Sequence, residues 1–229
     1  MALPMAPMAL PVAADDNSRQ FTTHHVVDTH VRGKTLLVVY TNDLVSVESS
    51  IQTMEQFLAE DKYRVVGFDL EYTIGRAGHD QKVVVAQLCM QHDVLVYHFH
   101  LSTRPCEPFS RFIKSSDYSF ATVDTTNDLK ALKVSDLKCP NLVNIQHHYK
   151  VWGTDKRKLN SLVDLASAII DPYYAKMKQE SNKDKNAWHS VWHKRLDEQH
   201  VKYAAMDAYT SYEMYRQIVD MRNCLLPDS

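Results

Sequence analysis

Cysteine and long apolar runs are both scarce in this sequence. Its 229 residues include four cysteines, which are scattered along the chain and form no Cys-x-x-Cys pair. This pattern argues against a disulfide framework or a zinc ribbon, and it fits a reducing compartment. No apolar run approaches the roughly 20 residues that a membrane-spanning helix needs. We therefore expect a protein of the nucleus or the cytoplasm that does not enter a membrane.

The sequence also lacks an excess of positive charge. Its formal net charge is -2 at pH 7, and its composition of 45% hydrophobic and 24% charged residues is typical of a globular protein. A protein that coats nucleic acid with its whole surface would be basic. Any contact with nucleic acid is therefore expected to be local.

The first residues differ in composition from the rest of the chain. They are rich in alanine, proline and methionine, and no lysine or arginine precedes Arg19. A secretory signal needs a basic start and an unbroken apolar stretch, which three prolines interrupt here. We interpret residues 1–22 as a flexible tail, with an atypical targeting segment as the alternative, and residues 23–229 as a single domain.

Hydrophobic periodicity in the first half predicts a mixed α/β sheet. A hairpin turn at Arg32-Gly33-Lys34 joins the first two predicted strands, and Asn42-Asp43 offers a cap for the first helix. The predicted strands cover residues 25–31, 35–40, 65–73, 82–90, 93–99 and 118–123, and the predicted helices cover residues 47–58 and 107–113.

The second half is predicted to be mostly helical. Thr125-Thr126-Asn127 would cap a helix that runs from Asp128 through Leu132. From about Leu137 onward we expect further helices, the longest over residues 198–221. The polar and basic stretch at residues 173–196 is interpreted as an excursion or a lid.

Two carboxylates stand at the end of the apolar run at residues 65–67. On a strand, Asp69 and Glu71 share one face while Leu70 points to the other. Paired carboxylates repel each other and resist burial, so a divalent metal would neutralise them, and oxygen ligands suit magnesium or manganese. The alternative is that one acid caps a turn and the other faces water.

A second polar pair lies in the long C-terminal helical pattern. Tyr203 and Asp207 are four residues apart and therefore on one helical face, among small alanines that allow close packing against a sheet. The alternative is a Tyr–Asp hydrogen bond on a solvated face. Asp128, near the start of its own helix, could simply interact with the helix N-terminus.

Taken together, these residues resemble the DEDD superfamily of 3′–5′ exonucleases, in the subgroup with a tyrosine in the third motif. The first motif is matched by VGFDLEYT, the second is resembled by NDLKAL, and the third is closely matched by YAAMDAY. LNSL, with Asn160, resembles a helix start between the last two motifs. The likeness covers roughly residues 26–218 and is nearest to Werner-syndrome-type exonuclease domains, with RNase D more distant. Lys202 stands where the sister subgroup has a histidine, which favours the tyrosine subgroup.

The resemblance implies an RNase H-like exonuclease fold, a central mixed β-sheet flanked by α-helices. It also implies hydrolysis of phosphodiester bonds from the 3′ end of single-stranded or 3′-recessed DNA or RNA, with two Mg²⁺ or Mn²⁺ ions. Asp69 would bridge both ions, with Glu71 and Asp207 on the nucleophile side. Asp128 would complete the surroundings of the second ion through water, and Tyr203 would orient the attacking water.

The same resemblance implies contacts with nucleic acid. Tyr72 replaces the usual tryptophan of the family and keeps an aromatic face for stacking on a terminal base. We expect further contacts in the locally basic C-terminal half, where a solvated surface is the alternative and where Trp188 and Trp192 are candidates for stacking. The complete predicted set is Leu70, Tyr72, Thr73, Asn160, Trp188, Lys194 and Arg195.

Three points keep other interpretations open. The glycine-rich approach to the second motif is replaced by Ala121–Thr126, so a shifted helix start would make Asp124 the alternative to Asp128. A pseudo-nuclease that only binds nucleic acid or protein would keep the fold without the activity. A zinc-binding scaffold would use the histidines at positions 189, 193 and 200. The sequence does not identify protein partners.

Overall fold

The computed structural model describes residues 19–73, 80–148, 159, 161–176 and 191–225. Its strands are β1 (Thr22–Asp28), β2 (Thr35–Thr41), β3 (Val65–Tyr72), β4 (Val83–Met90), β5 (Asp93–Tyr97), β6 (Ser119–Thr122) and β7 (Leu142–Asn144). Its helices are α1 (Leu44–Glu60), α2 (Glu107–Ile113), α3 (Thr125–Val134), α4 (Ile145–His148), α5 (Leu162–Ile169) and α6 (Glu198–Leu225), with a 3₁₀ turn at Phe99–Leu101.

The strands form one mixed sheet in the order β1-β2-β5-β4-β3-β6-β7. Pairs β1/β2, β3/β4 and β4/β5 are antiparallel, whereas β2/β5, β3/β6 and β6/β7 are parallel. The predicted mixed α/β sheet with the acid-bearing strand in its interior is thus confirmed. The β1–β2 hairpin is also confirmed, with Asp28 paired to Thr35.

Helices cover both faces of the central strands, which is why every residue of β4 is buried. Successive residues of β3 point to opposite faces. Phe68 packs on the α2 side, where its ring and that of Phe112 both meet the ring of Phe120 edge-on. Gly67 faces α6 on the other side. The apolar run at the start of β3 is therefore buried from both directions.

The approach of α6 to β3 depends on Gly67. A Cβ added at Gly67 would lie 2.0 Å from the carbonyl oxygen of Ala208 and 2.7 Å from the Cβ of Tyr212. No side chain fits in this space, so glycine allows the helix backbone to lie directly on the strand. The alanines of α6 serve the same close packing, as predicted from the sequence.

An aspartate precedes both α1 and α3, but only the one before α1 caps its helix with its side chain. Asp43 caps α1 with its side chain, which accepts hydrogen bonds from the backbone N–H groups of Val45 and Ser46 at 3.2 and 3.1 Å. That cap was predicted. At α3 the expected cap was wrong, because Asp124 takes the left-handed conformation (φ 62°) and the helix begins at Thr125. Asp128 therefore lies inside the first turn rather than at the helix start.

The prediction of mostly helix after Leu137 missed β7. This strand has three residues, all half-buried, and forms by parallel pairing of Leu142–Asn144 with β6. A segment this short carries no period of its own. The ends of the predicted excursion at residues 173–196 pack into the core through Tyr174, Trp192 and Leu196, whereas residues 177–190 lie outside the described residues.

The division into a tail at residues 1–22 and a domain at residues 23–229 stays a prediction, but the last residues assigned to the tail belong to the fold. Strand β1 begins at Thr22, and Phe21 is 8% exposed with its ring 4.8 Å from that of Tyr40. The fold therefore starts within the segment assigned to the tail, and residues 1–18 lie outside the described residues. In the described part of the chain, no helix combines the length and apolarity needed to cross a membrane.

Candidate metal centre and exonuclease family

Strand β3 provides the first two carboxylates of the site. Asp69 and Glu71 alternate with the buried Leu70, so both are on the face that α6 covers, and both are half-buried. The register with β4 shifts between Glu71 and Tyr72, where Tyr72 pairs with Val83. Such an irregularity re-aims the side chains that follow it.

Helix α6 provides the third carboxylate. Asp207 is 7% exposed and is hydrogen bonded to Tyr203, one turn earlier on the same face. Contact between Gly67 and Ala208 holds this part of α6 against β3. As a result, one carboxylate oxygen from each of Asp69, Glu71 and Asp207 lies within 4.8 Å of the others.

These three acids are held in an environment that disfavours their charge. Burial raises the pKa of Asp69 to about 7. Burial, followed by the charges of Asp69 and Asp207, raises the pKa of Glu71, and burial with the Asp69 charge raises the pKa of Asp207. Within the described ranges, no lysine or arginine forms an ion pair with any of them. A divalent cation would supply the missing positive charge.

A buried amide beside the carboxylates tests whether the surroundings fit an ion. Gln87 of β4 stands directly opposite Asp69 in the ladder, so the two side chains share a face. It is fully buried, and neither amide atom has a hydrogen-bond partner among the described residues. Buried polar groups ordinarily have partners, and a hydrated ion provides them. The residues present therefore fit a divalent cation with oxygen ligands.

Asp128 is buried next to this group rather than in it. It is 3% exposed, and its carboxylate accepts hydrogen bonds from the hydroxyl of Tyr72 and, at 3.4 Å, from that of Thr122. Burial and the Asp69 charge raise its pKa to about 8. Asp124, the alternative, is exposed. Of the two acids, only Asp128 faces the site.

Tyr203 is placed to hold a proton rather than to remove one. The negative charge of Asp207 and burial both raise the pKa of its hydroxyl well above the ordinary value. Its ring lies 6.2 Å from the buried ring of Trp192. The hydroxyl therefore stays protonated at neutral pH and can act only through hydrogen bonds.

The residues predicted to contact nucleic acid differ in their exposure to solvent. Lys194 and Arg195 are exposed, and the Arg195 guanidinium lies 4.6 Å from the centre of the Phe21 ring. Thr73 is half-buried, and its hydroxyl accepts a hydrogen bond from the backbone N–H of Lys82 at 3.0 Å. Asn160 and Trp188 lie outside the described residues.

Two further side chains considered for such contacts, those of Leu70 and Trp192, lie in the core. Leu70 is 3% exposed on the face opposite the carboxylates, so its side chain offers no surface to nucleic acid. Trp192 is 2% exposed and packs edge-on against His200, so it is not free to stack on a base. The histidine zinc site does not form in the described residues either, since His200 is buried against Asp197 and His193 is exposed.

Comparison with known protein families shows the family to which these residues belong. The model of a family described as 3′–5′ exonuclease matches residues 44–222, which include all four acids and Tyr203. The chain belongs to the 3′–5′ exonuclease family. This exonuclease matches none of the proteins with curated descriptions in a sequence search.

Solved structures similar to this exonuclease share its fold at low sequence identity. The Nibbler EXO domain of Aedes aegypti has a TM-score of 0.56 and 16% identity, over 79% of this chain and 88% of that one. RNase D of Trypanosoma brucei, in a complex with GMP, has a TM-score of 0.63 and 14% identity, over 80% of this chain and 57% of that one. The catalytic core of RRP6 from Trypanosoma brucei has a TM-score of 0.60 and 11% identity, over 93% of this chain and 65% of that one.

These likenesses confirm the RNase H-like fold and the RNase D-like, DEDD-type resemblance. The exonuclease spans 57% of the RNase D chain, so the properties of the whole RNase D do not transfer to it. The narrower likeness to Werner-syndrome-type domains stays a prediction.

Sequence reasoning missed three contributors to the site. The Tyr72–Asp128 hydrogen bond and the placement of Gln87 opposite Asp69 depend on pairing between distant segments, so no local signal marks them. Gly67 did leave a signal. A glycine inside an apolar strand often marks close approach of another backbone, which is what α6 makes here.

Proposed function

We propose that this chain hydrolyses phosphodiester bonds one nucleotide at a time from the 3′ end of nucleic acid, using bound divalent cations. The observation that supports this most directly is the convergence of Asp69, Glu71 and Asp207 within 4.8 Å in a chain of the exonuclease family. One buried and two half-buried acids, all with raised pKa values and with no basic partner in the described region, would destabilise the fold unless a cation binds them.

Asp69, Glu71 and Asp207 would hold Mg²⁺ or Mn²⁺, and Asp128 would lie beside them. When bound, such ions supply Lewis acidity and an activated water. Two protein hydroxyls fix the Asp128 carboxylate, so it keeps one orientation. The chain itself thus contributes a rigid set of oxygen ligands on one strand and two helices.

Tyr203 would orient the attacking water. Its hydroxyl remains protonated because the Asp207 charge raises its pKa, which excludes it as a general base at neutral pH. The hydrogen bond to Asp207 and the neighbouring Trp192 ring hold the phenol in place. Its contribution would be positional, and Tyr203→Phe should lower turnover while retaining metal binding.

The substrate that we propose is a single-stranded or 3′-recessed end of DNA or RNA. A related RNase D of Trypanosoma brucei has been solved in complex with RNA, at a TM-score of 0.53 and 14% identity. Tyr72 keeps a half-buried ring beside the acids, although its hydroxyl is engaged by Asp128. An aromatic face at this position suits stacking against the last base.

Degradation of end-labelled strands tests this function. Single strands and recessed duplexes of DNA and RNA, labelled at the 5′ end, would be incubated with Mg²⁺ or Mn²⁺ and separately with EDTA. We expect a ladder that shortens from the 3′ end and disappears with EDTA or in Asp69→Asn. Shortening of a duplex only at a recessed 3′ end would specify the preferred substrate.

Asp124→Asn is a matched control for Asp128→Asn. Both change one aspartate near the start of α3, but Asp124 is exposed and Asp128 is buried beside the site. We expect only Asp128→Asn to lose activity. A folded protein that binds strands but yields no metal-dependent product from any of them would reject the enzyme and leave the pseudo-nuclease.

A further inference from the structure

A cleft on the far side of α3 carries positive charge that no feature of the metal centre uses. Two adjoining cavities of about 850 and 610 Å³ share Lys114, Asp136, Leu137 and Lys138. Arg111 and Lys133 extend their lining on either side. We call this surface the basic cleft, defined by Arg111, Lys114, Lys133 and Lys138.

The four cations of the basic cleft are available to a ligand. All four are exposed, and within the described ranges none forms an ion pair. Two acids, Glu107 and Asp136, also line the cavities, so positive charge is in excess. This excess is local, because the chain as a whole has a net charge of -2.

In another cavity of the same molecule, a carboxylate neutralises the cations that line it. It has a volume of about 500 Å³ beside α6, and its cations Lys34 and Arg216 each lie 3.1 Å from the buried Glu213 carboxylate. Those cations stabilise the fold. The cations of the basic cleft have no comparable carboxylate among the described residues, so a structural role does not account for them.

The basic cleft is connected rigidly to the metal centre through α3. Asp128 lies in the first turn of this helix and Lys133 five residues later, about 8 Å along the helix axis. At the end of the helix, the Ser135 hydroxyl accepts a hydrogen bond from the backbone N–H of Val83 at 2.9 Å. Val83 begins β4, the strand paired with β3, so the cleft and the carboxylates keep a fixed separation.

We propose that the basic cleft binds the phosphate backbone of the substrate strand, upstream of the 3′ end that the carboxylates hold. This inference rests on the proposed function. A nucleic-acid strand carries one negative charge per nucleotide, which matches a row of separate cations better than a single small anion does. Serine hydroxyls at positions 110 and 116 also line the cleft and can donate to phosphate oxygens. Leu129, 52% exposed on the adjoining cavity wall, offers apolar contact to a sugar or base.

Binding measured without hydrolysis tests the cleft separately from the chemistry. Fluorescence anisotropy in EDTA would compare single strands of 3 and 15 nucleotides, with wild type and the double variant Lys114→Gln/Lys133→Gln. We expect binding of the long strand to weaken roughly two- to thirtyfold. The slope of log affinity against log salt should fall by about 1.4, and the short strand should bind as before.

The double variant Lys62→Gln/Arg222→Gln is the matched charge control. It removes two exposed cations near the C-terminal part of α6, where Lys62 lies 3.1 Å from Asp220. Equal weakening by both double variants, or weakening of short and long strands alike, would overturn the proposal. Unchanged binding of the long strand by the cleft variant would also overturn it. So would a cleft variant that loses binding of an acidic peptide but not binding of the strand.

The outcomes for the cleft and for the nuclease are distinguishable. Cleft-dependent binding without hydrolysis would support the cleft and reject the proposed activity. Normal hydrolysis, with strand binding that is unchanged in Lys114→Gln/Lys133→Gln, would support the activity and reject the cleft. Circular dichroism of each variant establishes that the fold is retained, which is expected because the substituted side chains are exposed.

Discussion

The hydroxyl of Tyr72 donates a hydrogen bond to the carboxylate of Asp128, which joins the end of β3 to the first turn of α3. Because the two residues are 56 positions apart, this contact fixes one acid of the site relative to the strand that bears two others. It also occupies an oxygen of Asp128. The Asp128 carboxylate is therefore held in one position relative to β3.

Tyr72→Phe should weaken both the fold and the activity. Burial raises the pKa of Asp128 to about 8, so at pH 7 this bond joins two largely neutral groups in the metal-free protein. Such a bond contributes about 0.5–1.5 kcal/mol, and urea denaturation should show a loss in that range. The exonuclease rate should fall roughly tenfold because Asp128 loses its fixed orientation. Tyr63→Phe is the matched control, since the Tyr63 hydroxyl donates to Asp220 at the other end of β3. Equal loss of activity in both variants would contradict the prediction.

Gly67→Ala should separate α6 from β3. The added methyl group would meet the Ala208 carbonyl oxygen at 2.0 Å, and backbone atoms cannot give way as a side chain can. We expect a loss of more than about 3 kcal/mol of unfolding free energy, and loss of activity in any folded protein because Asp207 moves with the helix.

Gly33→Ala is the comparison for Gly67→Ala. Gly33 has a positive φ of 63° but nothing within 4 Å of an added Cβ. Gly33→Ala should therefore lower the unfolding free energy by about 1 kcal/mol, from backbone strain alone. Similar unfolding free energies for the two variants would show that α6 does not require the close approach.

Stability of the metal-free protein should decrease as the pH rises from about 4 to about 8. Burial raises the folded-state pKa of Asp69 to about 7 and that of Asp128 to about 8. Their unfolded values are about 3.9, so the native state binds more protons throughout this window and loses stability as those protons leave. The stabilisation is complete below about pH 4 and is lost as the pH rises through the folded-state values.

Asp69→Asn removes the charge that causes part of this loss. In EDTA at pH 8, it should therefore be more stable than the wild type by roughly 2–4 kcal/mol in urea denaturation. Mg²⁺ or Mn²⁺ should raise the melting temperature of the wild type and not that of the variant. Asp124→Asn, an exposed change, should behave as wild type in both measurements. A wild type that is more stable than Asp69→Asn in EDTA at pH 8 would contradict the prediction.

Gln87→Met should stabilise the metal-free protein. The buried amide has no hydrogen-bond partner among the described residues, and methionine has a similar length without polar atoms. Removal of an unsatisfied polar group should raise the unfolding free energy by about 1–2 kcal/mol. Gln52→Met, on the exposed face of α1, should change it by less than about 0.5 kcal/mol. A strongly destabilised Gln87→Met would show that the amide is satisfied.

Local patterns were enough to predict most of the fold and the members of the site. The bounds of α2 and the cap at Asp43 follow from residues adjacent in sequence, and the structure has both where they were expected. Strand β7 was missed because its three residues are held by pairing with β6 rather than by their own periodicity. The start of α3 was misplaced because a single left-handed residue, Asp124, sets it.

The sequence by itself determined which side chains share a face. Alternation along β3 pairs Asp69 with Glu71, and one helical turn pairs Asp207 with Tyr203, because both periods are properties of the local backbone. Only the tertiary structure decided that these pairs meet within 4.8 Å, that Asp128 faces them from α3, and that Leu70 and Trp192 are buried. Those outcomes depend on how far α6 can approach β3, and the missing side chain at Gly67 sets that distance.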